Sequence, residues 1–116
     1  MAELDDDLGR EVVIATEVVI ATEVDAAGDP IVVLSGEIDM SNASSLSAAV
    51  APITATAPLR LTFDLTGLRF IDSAGLAVLV TAAATTTVSV RNPSAIVRCV
   101  IEATGLSTVL HMASES

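Results

Sequence analysis

Residues 11–24 read Glu-Val-Val-Ile-Ala-Thr twice in tandem, followed by Glu23-Val24. The period of six constrains the backbone. In an extended chain successive side chains alternate between faces, so an even period keeps both copies in phase. Val12, Ile14, Thr16, Val18, Ile20 and Thr22 then share one face, and Glu11, Val13, Ala15, Glu17, Val19 and Ala21 the other. In a helix six residues advance about 600°, and the two copies would point in different directions. The repeat therefore predicts a strand with its glutamates toward water. A strand running from residue 11 to residue 24 would span roughly 45 Å, longer than strands usually are. One copy is expected to pair with the next strand, while the other overhangs, extends a hairpin or pairs with another chain. The repeat is a local duplication and not a solenoid.

The rest of the chain alternates strand-like and helix-like runs. Asp25–Pro30 is a turn, and Ile31–Leu34 is a second strand that closes at Ser35-Gly36-Glu37-Ile38-Asp39, forming a hairpin with the first. Ser41 or Asn42 caps a helix that reaches about Ala51, with Ala43, Leu46, Ala49 and Val50 on one face. Pro52–Pro58 is a connector. In the third strand Leu59, Leu61, Phe63 and Leu65 share a face; Thr66-Gly67 turns the chain, and Leu68–Ile71 leads into Asp72-Ser73. Ala74–Ala84 is a second helix and Thr85–Val90 a fourth strand. Asn92-Pro93-Ser94 opens a third helix that ends near Thr104, with Gly105 as its C-terminal glycine. Leu106–Met112 is a last short strand or turn. The order β-β-α-β-α-β-α-β predicts an α/β fold: a mixed sheet of four to five strands, mostly parallel after the first hairpin, with helices mainly on one face. Residues 1–10 form a frayed acidic leader, residues 11–112 one domain, and residues 113–116 a tail.

Composition narrows the function. The net charge is −10, with 15 acidic residues against five Arg and no Lys. Nucleic acid and an anionic membrane surface both require clustered cations and are excluded as expected partners. The charge suits either a solvated acidic surface or encounter with a basic partner. The lone Cys99 rules out an internal disulfide and a cysteine-rich metal site, and its apolar surroundings predict a core position. The acidic start lacks the cationic region of a signal peptide, and no long apolar run suggests a membrane span, so the expected location is the cytoplasm.

The candidate site is Asp72-Ser73-Ala74-Gly75, between a strand and a helix. A serine at a helix start can cap it through its hydroxyl. It can also carry a phosphate, because a helix N-terminus favours negative charge. Gly75 gives either close backbone approach or an unhindered first turn. Asp39 can instead cap the Ser41 region, and Arg69 is a solvated or partner-facing charge or a phosphate clamp. An enzyme is not expected. Ser73, Asp72 and His111 do not form a nucleophile elbow, and no phosphate loop, dinucleotide motif or metal cluster is present, so neither cofactor nor metal is expected.

Three stretches resemble the STAS domain, the fold of bacterial anti-sigma factor antagonists. Ser35-Gly36-Glu37-Ile38-Asp39 is similar to the family's second-strand signature. Leu68-Arg-Phe-Ile-Asp-Ser-Ala-Gly-Leu-Ala-Val-Leu79 is similar to its phosphorylation segment. Asn92-Pro93-Ser94, Val97-Arg98 and Ala103-Thr104-Gly105-Leu106 are similar to its last helix and following turn. The resemblance runs over roughly Ile31–Met112 in the family's order. It implies a STAS fold in which Ser73 is the phosphoacceptor of a GHKL-type serine kinase that is itself an anti-sigma factor. The unphosphorylated form would bind that kinase and free its sigma factor, and a metal-dependent serine phosphatase would reset the cycle. Asp39 matches the aspartate after the second strand, and Asp72 precedes the acceptor. The expected partner surface comprises Asp39, Asp72, Ser73, Ala74, Gly75 and Leu76. Two departures stand out: Ala74 replaces a residue that is often Ser or Thr, leaving Ser73 as the only local acceptor, and the second helix is short. The alternative is a STAS accessory or ligand-sensing module that serves a transporter or signalling complex without phosphorylation. A spare repeat copy could also dimerise the chain.

Overall fold

The computed structural model describes residues 11–14 and 18–112. Its elements are β1 (Glu11–Ile14), β2 (Val18–Val24), β3 (Pro30–Ile38), α1 (Ala43–Thr54), β4 (Arg60–Ile71), α2 (Ser73–Ala83), β5 (Thr87–Arg91), α3 (Ala95–Ala103), a 3₁₀ turn (Leu106–Thr108) and β6 (His111–Met112). All six strands join one sheet in sequential order. β1, β2 and β3 are antiparallel neighbours, and β3, β4, β5 and β6 run parallel. This is the mixed α/β sheet expected from the sequence, mostly parallel after the first hairpin, but with six strands in place of the expected four to five.

The duplicated segment takes the hairpin option. Its second copy pairs along β3, and its first copy pairs back on the second, from Glu11 opposite Ala21 to Ile14 opposite Val18. The repeat thus adds a strand to the sheet, and the first copy finds its partner within the chain. The alternation holds over the first half of β2, where Val18 and Ile20 are buried and Val19 and Ala21 half-buried; it fades toward the turn, where Glu23 and Val24 are both exposed.

The core grows from the central strands. Leu61, Phe63 and Leu65 of β4 join Val32, Leu34 and Ile38 of β3 and Val88 and Val90 of β5, with Leu46, Val50, Leu76 and Leu79 from α1 and α2. Each large aliphatic side chain buried in this way contributes about 1.5–3 kcal/mol. α1 and α2 pack on each other, and α3 packs on β4. Thr62 and Ser89 alternate with the apolar core positions yet are also buried, so the sheet's centre is shielded on both faces.

Several local expectations are corrected. Thr66-Gly67 is not a turn. β4 runs through it, and the pairing with β3 shifts register between Val33–Asp64 and Ser35–Gly67. Gly67 is needed because a Cβ there would lie 2.7 Å from the Ser35 hydroxyl. α1 continues through Pro52 to Thr54, because a proline in the final turn forfeits only one helical hydrogen bond. Leu59 lies outside β4 and is 86% exposed. Pro93 precedes α3, whose cap is Ser94, accepting the Val97 N–H at 3.2 Å; Gly105 follows in the left-handed region. Cys99 is exposed, because α3 buries only the face carrying Val97 and Ile101.

Asp64 ties β4 to β5. Its Oδ2 accepts from Arg91 Nη2 at 2.8 Å and Nε at 3.2 Å, and its Oδ1 accepts from the Thr66 hydroxyl and N–H. Burial alone would raise its pKa, but the Thr66 and Arg91 contacts outweigh burial and hold the carboxyl below the usual range. A carboxylate whose folded pKa is depressed stabilises the fold above its unfolded value, and that contribution is lost as pH falls through the folded value. Asp64→Asn is therefore expected to lower stability at neutral pH. Urea titrations between pH 7 and about pH 3 should show the wild type losing stability below about pH 4 more steeply than the variant.

Candidate functional site

β3 and β4 end side by side, with Ile38 paired to Ile71. The next residues, Asp39 and Asp72, therefore emerge together at the carboxyl edge of the parallel strands, where α/β sheets usually carry their sites. The Asp72 N–H donates to the Ile38 carbonyl at 3.1 Å and fastens the two ends.

Asp72 caps α2. Its Oδ1 accepts the N–H groups of Ala74 at 2.9 Å and Gly75 at 3.1 Å. The sequence offered Ser73 as a cap. The structure gives that work to Asp72 and places Ser73 at the first helical position, exposed. Its hydroxyl is not needed to hold the helix start together.

Gly75 and Leu76 support the site from below. A Cβ on Gly75 would lie 2.6 Å from Ile38 Cγ2 and 2.7 Å from Ile71 Cγ1, so the first turn of α2 rests directly on the two strand ends. Of the two functions the sequence allowed Gly75, close approach is the operative one. Leu76 is 2% exposed and faces the core. Neither residue presents a side chain to a partner. Ala74 is half-buried beside Ser73.

Asp39 organises the turn into α1 but does not cap the helix. Its Oδ1 accepts the Ser41 N–H at 2.9 Å and hydroxyl at 2.6 Å, and its carbonyl accepts the N–H groups of Asn42 and Ala43. The Ser41 hydroxyl and N–H hold the Asp39 carboxyl below the usual range. Asn42 occupies the capping position, but its buried side chain reaches back instead. It accepts from the Asp39 N–H at 3.0 Å and donates to the Glu37 carbonyl at 2.9 Å. This inward lock was not foreseen; an asparagine three residues after the aspartate that follows the strand is the sequence signal that could have shown it. Met40, at the tip of the turn, is 81% exposed.

Arg69 pairs with Glu37 at 3.5 Å on the exposed surface. His111 lies on β6, away from the Asp72-Ser73 junction in the sheet order. Among the described residues no group of three potential metal ligands is present, and no helix is long and apolar enough to cross a membrane.

A family model described as Mlab, STAS domain, matches residues 22–112. No curated protein sequence matches the chain. Among solved structures, an anti-sigma factor antagonist from Mycobacterium paratuberculosis is 28% identical, with a TM-score of 0.78 over 90% of this chain and 92% of that one. The Bacillus cell fate determinant SpoIIAA in its phosphorylated form is 23% identical, with a TM-score of 0.55 over 82% and 93%. A STAS-domain anti-sigma factor antagonist from Rhodobacter sphaeroides is 15% identical, with a TM-score of 0.57 over 68% and 90%. The last two likenesses concern the fold alone.

The division of labour at this helix start has measurable consequences. Ser73→Ala should leave stability within about 0.5 kcal/mol of wild type. Asp72→Ala should cost about 1 kcal/mol through the lost cap, and Gly75→Ala about 1–3 kcal/mol through overpacking against Ile38 and Ile71. Equilibrium urea unfolding of the three variants checks the ranking.

Proposed function

This chain belongs to the STAS-domain family, and from that premise we propose that it is an anti-sigma factor antagonist switched by phosphorylation of Ser73. The unphosphorylated form binds an anti-sigma factor of the GHKL serine-kinase type and frees its sigma factor. Phosphate on Ser73 ends that binding, and a serine phosphatase restores it. The likeness to the Mycobacterium paratuberculosis anti-sigma factor antagonist supports the general role. The observation that carries the switch is the exposed Ser73 at the first position of α2, with its capping duty taken over by Asp72.

The physical chemistry fits a surface switch. A phosphate adds nearly two negative charges and three acceptor oxygens. The helix N-terminus tolerates that charge, but Asp72 already holds the N–H groups of Ala74 and Gly75. A phosphate on Ser73 is thereby left on the outside of the helix start, in the company of Asp72 and Asp39. Its effect falls on whatever docks there, by repulsion and desolvation, while the hydrogen bonds that hold the fold are untouched. Asp39, Asp72, Ser73 and Ala74 form the contact surface in this reading, and Gly75 and Leu76 hold it in place.

A pull-down with the wild-type chain identifies the anti-sigma factor, and phosphosite mass spectrometry after incubation with that kinase and ATP tests the switch. Wild type is expected to gain one phosphate at Ser73, Ser73→Ala none, and Ser73→Asp to bind at least tenfold more weakly. Should Ser73 stay unmodified and Ser73→Asp bind as tightly as wild type, the reading fails in favour of an accessory STAS module that works without phosphorylation.

A further inference from the structure

We propose that the outer edge of β3 is a docking site with two interchangeable strands in the same chain, and that residues 12–18 can replace residues 18–24 on it. Both segments read Val-Val-Ile-Ala-Thr-Glu-Val. β2 pairs with β3 through all of its residues, from Val18 opposite Gly36 to Val24 opposite Pro30. A slide by six puts Val12 opposite Gly36, Ile14 opposite Leu34, Thr16 opposite Val32 and Val18 opposite Pro30. Strand register is normally enforced because a slip by one residue turns the apolar face outward. A slip by six keeps every side chain on its face, and here it also returns the same side chain to every position. Val12 and Ile14 enter the places in which Val18 is 1% and Ile20 3% exposed.

The two registers differ only outside the seven pairs. The observed one adds the β1–β2 pairing. The shifted one gives that up and lengthens the link to β3 from residues 25–29 to residues 19–29. Roughly doubling a loop lowers its closure equilibrium by only about threefold. Between β1 and β2 the sequence reads Ala15-Thr16-Glu17, without the Gly, Asn, Asp or Pro that fixes a tight hairpin turn. The observed register is thus the ground state of the wild type, and the shifted one is the arrangement the chain adopts when the second copy is blocked.

The strand exchange does not rest on the proposed role of Ser73.

The test uses the full chain with Cys99→Ser, so that only introduced thiols can join. The pair Ala21→Cys/Val33→Cys reports the observed register, in which these residues are opposite each other. The pair Ala15→Cys/Val33→Cys reports the shifted one. Ile20→Asp blocks the second copy at a core position. With Ile20→Asp present, the Ala15/Val33 pair is expected to oxidise to a disulfide, while the Ala21/Val33 bond falls at least tenfold. Circular dichroism should show this single variant folded and the Ile14→Asp/Ile20→Asp double variant less stable. The proposal is overturned if the Ala15/Val33 pair stays unlinked in the Ile20→Asp chain, or if that chain unfolds as fully as the double variant. Both outcomes are read without any partner protein, so they are separate from the fate of the Ser73 switch.

Discussion

The site depends on one junction, the contact of Gly75 with Ile38 and Ile71 beneath the hydrogen bond from Asp72 N–H to the Ile38 carbonyl. Two parallel strands end together there, and a helix begins directly on top of them. The close approach is possible only because residue 75 lacks a Cβ. It fixes where α2 starts, and so which residue caps it and which stands free. Asp72 becomes the cap, and Ser73 is left facing water on a rigid base.

The surrounding polar groups reinforce that base. Asn42 is buried and laces Glu37 and Asp39 together, while Asp39 holds the turn into α1 through Ser41. Each carboxylate at this edge already has structural hydrogen bonds, which keep both in place with a negative field around Ser73. The chain's overall charge of −10 has the same sign. Under the proposed switch, such a surface suits a basic partner, and one more anion at Ser73 would alter that encounter with little cost to the fold.

Much of this was legible in the sequence because the signals were local. The six-residue period identified strand, Gly105 marked the end of α3, and the Asp72-Ser73-Ala74-Gly75 stretch located the strand–helix junction. What was missed depended on contacts distant in sequence. Thr66-Gly67 has the composition of a turn, but pairing with Ser35 keeps β4 running through it. Pro52 looks like a stop, but a last-turn proline loses a single bond. Ser73 and Asp72 are both competent caps, and only the backbone geometry assigned the work to Asp72. Cys99 sits among apolar residues in sequence, yet helical periodicity turns it outward.

The proposed Ser73 switch needs a fixed scaffold, and an amide correlation spectrum of the chain phosphorylated at Ser73, compared with that of the unmodified chain, tests this most directly. Shifts confined to residues near the junction, about 38–43 and 72–77, with α2 and the sheet unchanged, are the predicted result. Broad changes across the sheet, or loss of the α2 signals, would contradict it and show that the phosphate acts by refolding the domain.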